Sequence, residues 1–321
     1  AAEESEREIA EAVDHYGPAR LGVVLGTRTT GIQEASQGIA GLVRDGQLPP
    51  SYHYGHQELS APASFLSERF GLAGPSYCIS TACTSGARAL QSAKRLLDAG
   101  ICDAVLCGGV DSLCDLTLQG FSALEATSTQ ICKPFSVNRD GINIGEAAAL
   151  FLMTREPASI ALLGAGASSA AHHISAPDPE GRGAIEAMRQ ALTHATCSPE
   201  QIVYLNLHGT ATEHNDAMES RAVAAVFPDG VPCSSSKPLT GHTLGAAGAL
   251  EAAFCWLALS EFNTVQQLPP HLWDAQQDPE LPKLDLVAAG ASLSAAGPGR
   301  MLSNSFAFGG NNISLILGDA S

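Results

Sequence analysis

The chain is short of positive charge, with 17 lysines and arginines against 33 acidic residues and a formal net charge of −16. A surface of that sign repels phosphate backbones and anionic headgroups, which argues against nucleic acid or a membrane surface as a partner. No apolar run reaches the roughly 18 residues needed to span a bilayer. The opening Ala1-Ala2-Glu3-Glu4-Ser5-Glu6 lacks the basic flank and apolar centre of a secretory leader, so a cytoplasmic protein is expected. CxxC pairs are missing too, although there are nine cysteines. An odd, scattered set suggests neither a disulfide framework nor a zinc site, and these residues read as free thiols. Aromatic residues are scarce at 5%, while hydrophobic residues make up 45% and glycines number 32. Small apolar residues in that proportion exclude a disordered or fibrous chain and point to a tightly packed α/β protein.

Strand-like and helix-like segments alternate. Glu6 to Tyr16 has helical spacing, Leu21 to Gly26 reads as a buried strand, and helices are expected over Gln37 to Gln47 and Gln57 to Phe70. Tyr77 to Ile79 is a short strand, Ala87 to Leu97 a helix, and Asp103 to Val110 and Ala147 to Met153 are strands. The pattern then restarts. Ile160 to Ser168 is strand-like, Gly183 to Thr196 helical, Ile202 to Leu207 a strand and Ala217 to Phe227 a helix. Thr243 to Leu259 is a helix apolar nearly all round, and Ile313 to Leu317 is a last strand. Two successive series without a low-complexity linker predict one compact unit of two halves, 1–157 and 158–321, built on sheets covered by helices on both faces.

Four stretches could carry chemistry. In Ser80-Thr81-Ala82-Cys83-Thr84-Ser85-Gly86, a cysteine sits where a strand stops and a helix starts. Unpaired N–H groups and the helix dipole favour a thiolate there, and the small neighbours leave the sulfur open. His208 leaves a strand end in His-Gly-Thr-Ala-Thr, the part of an α/β sheet where ligands bind. Lys237 and His242 stand five residues apart in Lys-Pro-Leu-Thr-Gly-His, and Ser303 to Asn312 closes on Phe306-Ala307-Phe308-Gly309-Gly310. Singly, each has an ordinary reading: a buried small thiol, a satisfied histidine, a helix cap, a solvated lysine, a tight turn. Together and in this order they are far less ordinary.

As a set they resemble the elongating β-ketoacyl-[acyl carrier protein] synthases of the thiolase superfamily. The matching motifs are TACTSG around Cys83, CKPFSVNRDG from Cys132, HGTAT from His208, KPLTGHTLGAAG from Lys237 and SNSFAFGGNN from Ser303. The resemblance implies a duplicated five-layer αβαβα sandwich of mixed sheets, paired as a homodimer or as a heterodimer with a related ketosynthase-like subunit. It implies Cys83 as the nucleophile that takes an acyl chain from the phosphopantetheine arm of an acyl carrier protein, with no cofactor of the chain's own. His208 and His242 would bind a malonyl thioester and assist its decarboxylation. Lys237 would support them, with Asp216 and Glu219 behind it. The backbone N–H groups of Cys83 and Phe308 would form an oxyanion hole, Phe308 would gate the cysteine, and Thr210, Thr212 and Phe306 would contact substrate. Asn206, Glu251, Ser303 and Asn304 fall where some relatives hold a structural alkali ion, although a hydrogen-bonded core network accounts for them as well. His172-His173 matches a loop near the entrance.

The chain also departs from the pattern. The family's longer opening segment, which carries the first strand of the first half, has no counterpart here; either the chain is a piece of a longer one, which is the expectation because an open central-sheet position costs stability, or the strand comes from elsewhere. Ala211 and Lys133 stand where glycine and arginine are common, and the Gly26 to Gly31 turn is poorer in glycine. A degradative thiolase would carry a second cysteine in the Phe-Gly-Gly loop, and an initiating synthase an asparagine at His242. A non-catalytic chain-length-factor partner would have lost Cys83. Because acyl carrier proteins are acidic, a local basic patch is expected, with Arg44, Arg88, Lys94 and Arg95 as candidates.

Overall fold

The computed structural model describes residues 2–293 and 299–319. Its first sheet runs β2(Ser76–Ile79), β1(Leu21–Gly26), β3(Ala104–Asp111), β4(Ala147–Thr154). The second runs β5(Ile160–Ser169), β10(Asn311–Asp319), β9(Arg300–Ala307), β6(Ile202–Asn206), β7(Pro232–Ser234), β8(Asp285–Leu286). The two share a plan. β3 pairs antiparallel with β4 and parallel with β1, which pairs parallel with β2. In the same way β9 pairs antiparallel with β10 and parallel with β6, which pairs parallel with β7.

Five layers follow from which residues are apolar on which face. α4(Ser85–Asp98) and α9(Ala247–Leu259) lie between the sheets, where Ala89, Leu90, Ala93, Ala252 and Cys255 meet Val24 and Val105 on one side and Met301, Ile313 and Leu315 on the other. α1(Glu6–Tyr16) and α3(Ala61–Phe70) cover the outside of the first sheet through Ile9, Ala12, Ala63 and Leu66. α6(Arg182–His194) and α7(Glu213–Val226) cover the outside of the second through Ala184, Met188, Met218 and Val223. The remaining helices are α2(Ile32–Asp45), α5(Asp115–Ala123) and the single turn α8(Lys237–Thr240). Among the described residues no helix is long and apolar enough to cross a membrane.

Several element boundaries differ from the sequence reading. α2 starts at Ile32 rather than Gln37. The expected helix Gln57 to Phe70 is a 3-10 turn over Tyr54–Gln57 followed by α3, because Pro62 restarts the helix at its first turn. The helix expected from Thr243 is a 3-10 turn over Leu244–Ala246 and then α9. β9 and α5 have no counterpart among the expected elements.

The middle layer is thin because small residues let backbones touch. A Cβ on Gly26, at the end of β1, would lie 2.3 Å from the backbone nitrogen of Gly86 in α4. A Cβ on Gly86 would in turn meet the Ala249 nitrogen of α9 at 2.8 Å. Gly26→Ala therefore forces the strand away from the helix that follows Cys83. It is expected to lower stability by about 3 kcal/mol, read as a lower urea midpoint; an unchanged midpoint would show that the contact is slack.

Candidate active site

Cys83 occupies a strained turn. Ala82 before it has φ 53°, a left-handed conformation costly for alanine. The turn is held from both sides: Ser85 Oγ accepts from the Thr81 N–H (2.9 Å) and donates to the Ala82 carbonyl (2.6 Å), while Thr84 Oγ1 donates to the Thr81 carbonyl (2.7 Å). The sulfur sits just before α4, as the sequence predicts. Its electrostatics differ from that expectation. Cys83 is only 7% exposed, and burial pushes its thiol up to about 11, against the pull of the Arg28 and Lys237 charges. The resting group is a thiol.

Both histidines come to it from the second half of the chain. His242 Nε2 lies 3.0 Å from Cys83 Sγ, and the His242 and His208 rings stand edge to face with centroids 5.3 Å apart. Sγ and one nitrogen from each ring lie within 4.8 Å of one another. A soft metal could use that spacing, but His208 Nδ1 and His242 Nδ1 lack the acceptor that orients a metal-bound imidazole, among the described residues. Burial, and then the charge of Lys237, holds both histidines well below their ordinary pKa. Two neutral imidazoles therefore face one neutral thiol.

Lys237 and Glu219 fix His208 through its backbone. Lys237 Nζ donates to the His208 carbonyl and to Glu251 Oε1, each at 2.5 Å, in a fully buried ion pair. The Glu219 carboxylate accepts the N–H groups of His208 (2.8 Å) and Gly209 (2.7 Å), and burial raises it to about 7. Asp216 does a different job: raised to about 6 by burial, it accepts the Phe135 N–H at 2.7 Å and so holds the loop of the CKPFSVNRDG motif. That loop reaches His242 through Asn143, whose side chain accepts the Cys132 N–H (2.7 Å) and whose carbonyl accepts the His242 N–H (2.6 Å).

Asp111, at the end of β3, was missed by sequence reasoning. Its Oδ1 accepts Thr27 Oγ1 (2.9 Å), the Arg28 N–H (2.7 Å), the Thr29 N–H (2.9 Å) and Thr29 Oγ1 (3.0 Å). Its Oδ2 accepts the Gly245 N–H at 2.6 Å. One carboxylate thus ties the turn after β1 to the GHTLG turn that carries His242. The only sequence signal is an aspartate closing a glycine-rich strand.

A cavity of about 600 Å³ opens onto this centre, walled by Cys83, His208, His242, Phe306, Phe308, Thr210 and Thr212 among others. Phe306 packs its ring edge to face with His208, centroids 5.9 Å apart, and the Thr210 and Thr212 hydroxyls lie 2.9 Å apart. Cys83, His208, His242, Thr210, Thr212, Phe306 and Phe308 therefore line one space, and Lys237, Asp216 and Glu219 stand outside it. His172 and His173 are exposed; His173 Nδ1 accepts the Ser175 and Ala176 N–H groups at 3.2 Å, a loop-stabilising role.

Three of the four candidates for a basic patch have partners of their own. Arg44 pairs with Asp45 (2.8 Å), Lys94 with Asp98 (2.9 Å), and Arg88 is half-buried with its guanidinium toward the Ser168 and Asn312 carbonyls. Arg95 is exposed. Behind the histidines, Asn206 Oδ1, Glu251 Oε2 and Ser303 Oγ are buried without partners among the described residues, an all-oxygen set that suits a hard cation. Asn304 Oδ1 already accepts from Ser314 Oγ at 2.7 Å.

A duplicated αβαβα sandwich with a cysteine and two histidines at the meeting of its sheets defines a thiolase-type protein. Within that class, the β-ketoacyl synthase N-terminal domain model matches residues 8–158 and the C-terminal domain model residues 160–272; the chain belongs to the β-ketoacyl synthase family. It is 33% identical to 3-oxoacyl-[acyl-carrier-protein] synthase 2 of Coxiella burnetii, over 95% of this chain and 77% of that protein. It is 36% identical to the mitochondrial 3-oxoacyl-[acyl-carrier-protein] synthase of Arabidopsis thaliana, over 78% of this chain and 58% of that protein. The chain therefore spans little more than half the length of that relative. Among solved structures, a ketosynthase (ApeO) in complex with its chain length factor (ApeC) from Xenorhabdus doucetiae matches with a TM-score of 0.93 and 46% identity, over 100% of this chain and 79% of that one.

A thiol held near 11 has a measurable signature. Alkylation of Cys83 by iodoacetamide, followed by peptide mass spectrometry, is expected to keep accelerating above pH 9, whereas a free cysteine levels off beyond its pKa of about 8.5. A plateau below pH 8 would instead restore the thiolate that the helix terminus alone predicts.

Proposed function

We propose that the protein is a β-ketoacyl-[acyl carrier protein] synthase that joins a malonyl unit, with loss of CO2, to an acyl chain held on Cys83. The observation that carries the proposal is the meeting of Cys83 Sγ with a neutral imidazole at 3.0 Å and a second beside it, at the wall of one open cavity. The names of the relatives support the reaction, and the ketosynthase–chain length factor complex supports pairing with a related subunit. All nine cysteines are free, which fits a reducing, cytoplasmic setting.

In the first half-reaction Sγ attacks the acyl carbon of a pantetheine thioester. His242 Nε2 takes the thiol proton and passes it to the departing pantetheine sulfur, so a thiol that is weakly acidic at rest becomes a nucleophile only as it reacts. In the second, malonyl thioester loses CO2 and the electron pair of the broken C–C bond moves onto the thioester as an enolate. Nε2–H groups of His208 and of His242, the latter after its ring proton has exchanged through solvent to Nε2, stabilise the developing oxyanion. The enolate carbon attacks the acyl carbon, Sγ leaves, and the sulfur regains a proton from solvent. Thr210 and Thr212 line the approach of the pantetheine arm. Asn206, Glu251 and Ser303 would hold an alkali ion, which would supply fixed charge behind the histidines. Domain organisation follows the same reading, with 1–157 carrying the nucleophile and 158–321 the histidines.

The outcome is checked by intact-protein mass spectrometry after incubation with an acyl-carrier thioester. A single acyl adduct is expected, lost in Cys83→Ala. No adduct, under conditions that load a control synthase, would replace this proposal with a silent chain-length-factor-like partner.

A further inference from the structure

One cation near the centre has no place in the chemistry above. Arg28 follows β1, and its N–H is fixed on the buried Asp111 carboxylate at 2.7 Å. Its side chain is exposed and makes no ion pair among the described residues. Instead its guanidinium carbon lies 5.7 Å from the centroid of the Phe121 ring. That ring, 7% exposed on α5, packs with Ile142 and Leu244.

Phe121 also meets the Phe308 ring, with centroids 5.9 Å apart and planes tilted by 37°. Phe308 is 41% exposed although it stands in the cavity wall with Cys83. It is followed by Gly309 and Gly310 at φ 77° and 74°, left-handed conformations that glycine adopts at little cost. A large ring half in solvent thus stands between the cavity mouth and Cys83, and Phe121 is what it rests on.

We propose that Arg28 is a positioning residue for this ring pair: stacked on Phe121, it braces the surface against which Phe308 closes, and so sets how readily Cys83 is reached from the cavity. The contacts stand independently of the reaction, but the purpose rests on the synthase reading, in which the ring must admit a bulky acyl thioester and then keep water from the acyl-cysteine. After burial, the Arg28 charge is the largest influence on the Cys83 thiol, and it acts to lower it.

The test compares two maleimides of different bulk, N-methylmaleimide and N-pyrenylmaleimide, on the full chain, with labelling of Cys83 read by peptide mass spectrometry. Both reagents need the thiolate, so the ratio of their rates removes any change in acidity and reports access alone. Arg28→Gln is expected to raise the bulky-to-small ratio about two- to fivefold, the range of an exposed cation–π contact, with most of the change reversed in Arg28→Lys. Phe121→Leu should raise it as well, and adding Arg28→Gln to Phe121→Leu should change it no further, because the brace acts through that ring. An unchanged ratio in Arg28→Gln, or effects that add in the double variant, would overturn the proposal. A shifted ratio in a protein that takes no acyl adduct would uphold the brace and reject the synthase, and the reverse pattern would do the opposite.

Discussion

The Asp111 carboxylate is the joint on which the site depends. Its five donors come from two segments far apart in sequence, the turn after β1 and the turn before α9. A buried carboxylate is expensive to desolvate, and this one is acceptable because its oxygens are occupied by short, well-directed bonds. The arrangement sets the registry of the first sheet against the segment bearing His242, while the Gly26–Gly86–Ala249 contacts set the distance. Polar bonding and small-residue packing thus fix the same geometry, and the 3.0 Å approach of His242 to the sulfur follows from both.

Electrostatics in the second half serve a complementary end. Lys237 is buried as a cation and is balanced by Glu251 rather than by either imidazole. Its field keeps the histidines uncharged, as their burial already does. A protonated imidazole beside Cys83 would hold the sulfur as an ion pair; a neutral one can both receive and offer a proton. The unusual cost of a buried ion pair is therefore tied to keeping two other groups neutral.

What could be read from the sequence divides along physical lines. Cys83, His208, Lys237 and His242 were legible because each lies in a short motif whose glycines and threonines core packing alone would not demand. β1, β5 and β6 were legible because their runs are apolar without interruption. β9 was not, because Ser303, Asn304 and Ser305 interrupt it with polar side chains that are nonetheless buried. Of these, Asn304 is held by Ser314 and Glu219, a feature of tertiary structure that local pattern cannot carry. Asp111 was hidden for the same reason, since an acidic residue at a strand end ordinarily faces water. The acidity of Cys83 was read from the helix terminus alone, and the burial that outweighs it is a property of the packed whole. The basic patch was inferred from residue type, and three of its members are committed to neighbours that spacing along the chain only partly discloses.

The raised pKa of the buried Cys83 thiol bears on how it meets peroxide. Peroxide attacks sulfur as the anion, and conversion to sulfenic and then sulfinic acid begins there. Under the proposed function, burial that raises the Cys83 thiol leaves little anion for small oxidants to meet, so the packing that hides the sulfur would also guard it between turnovers.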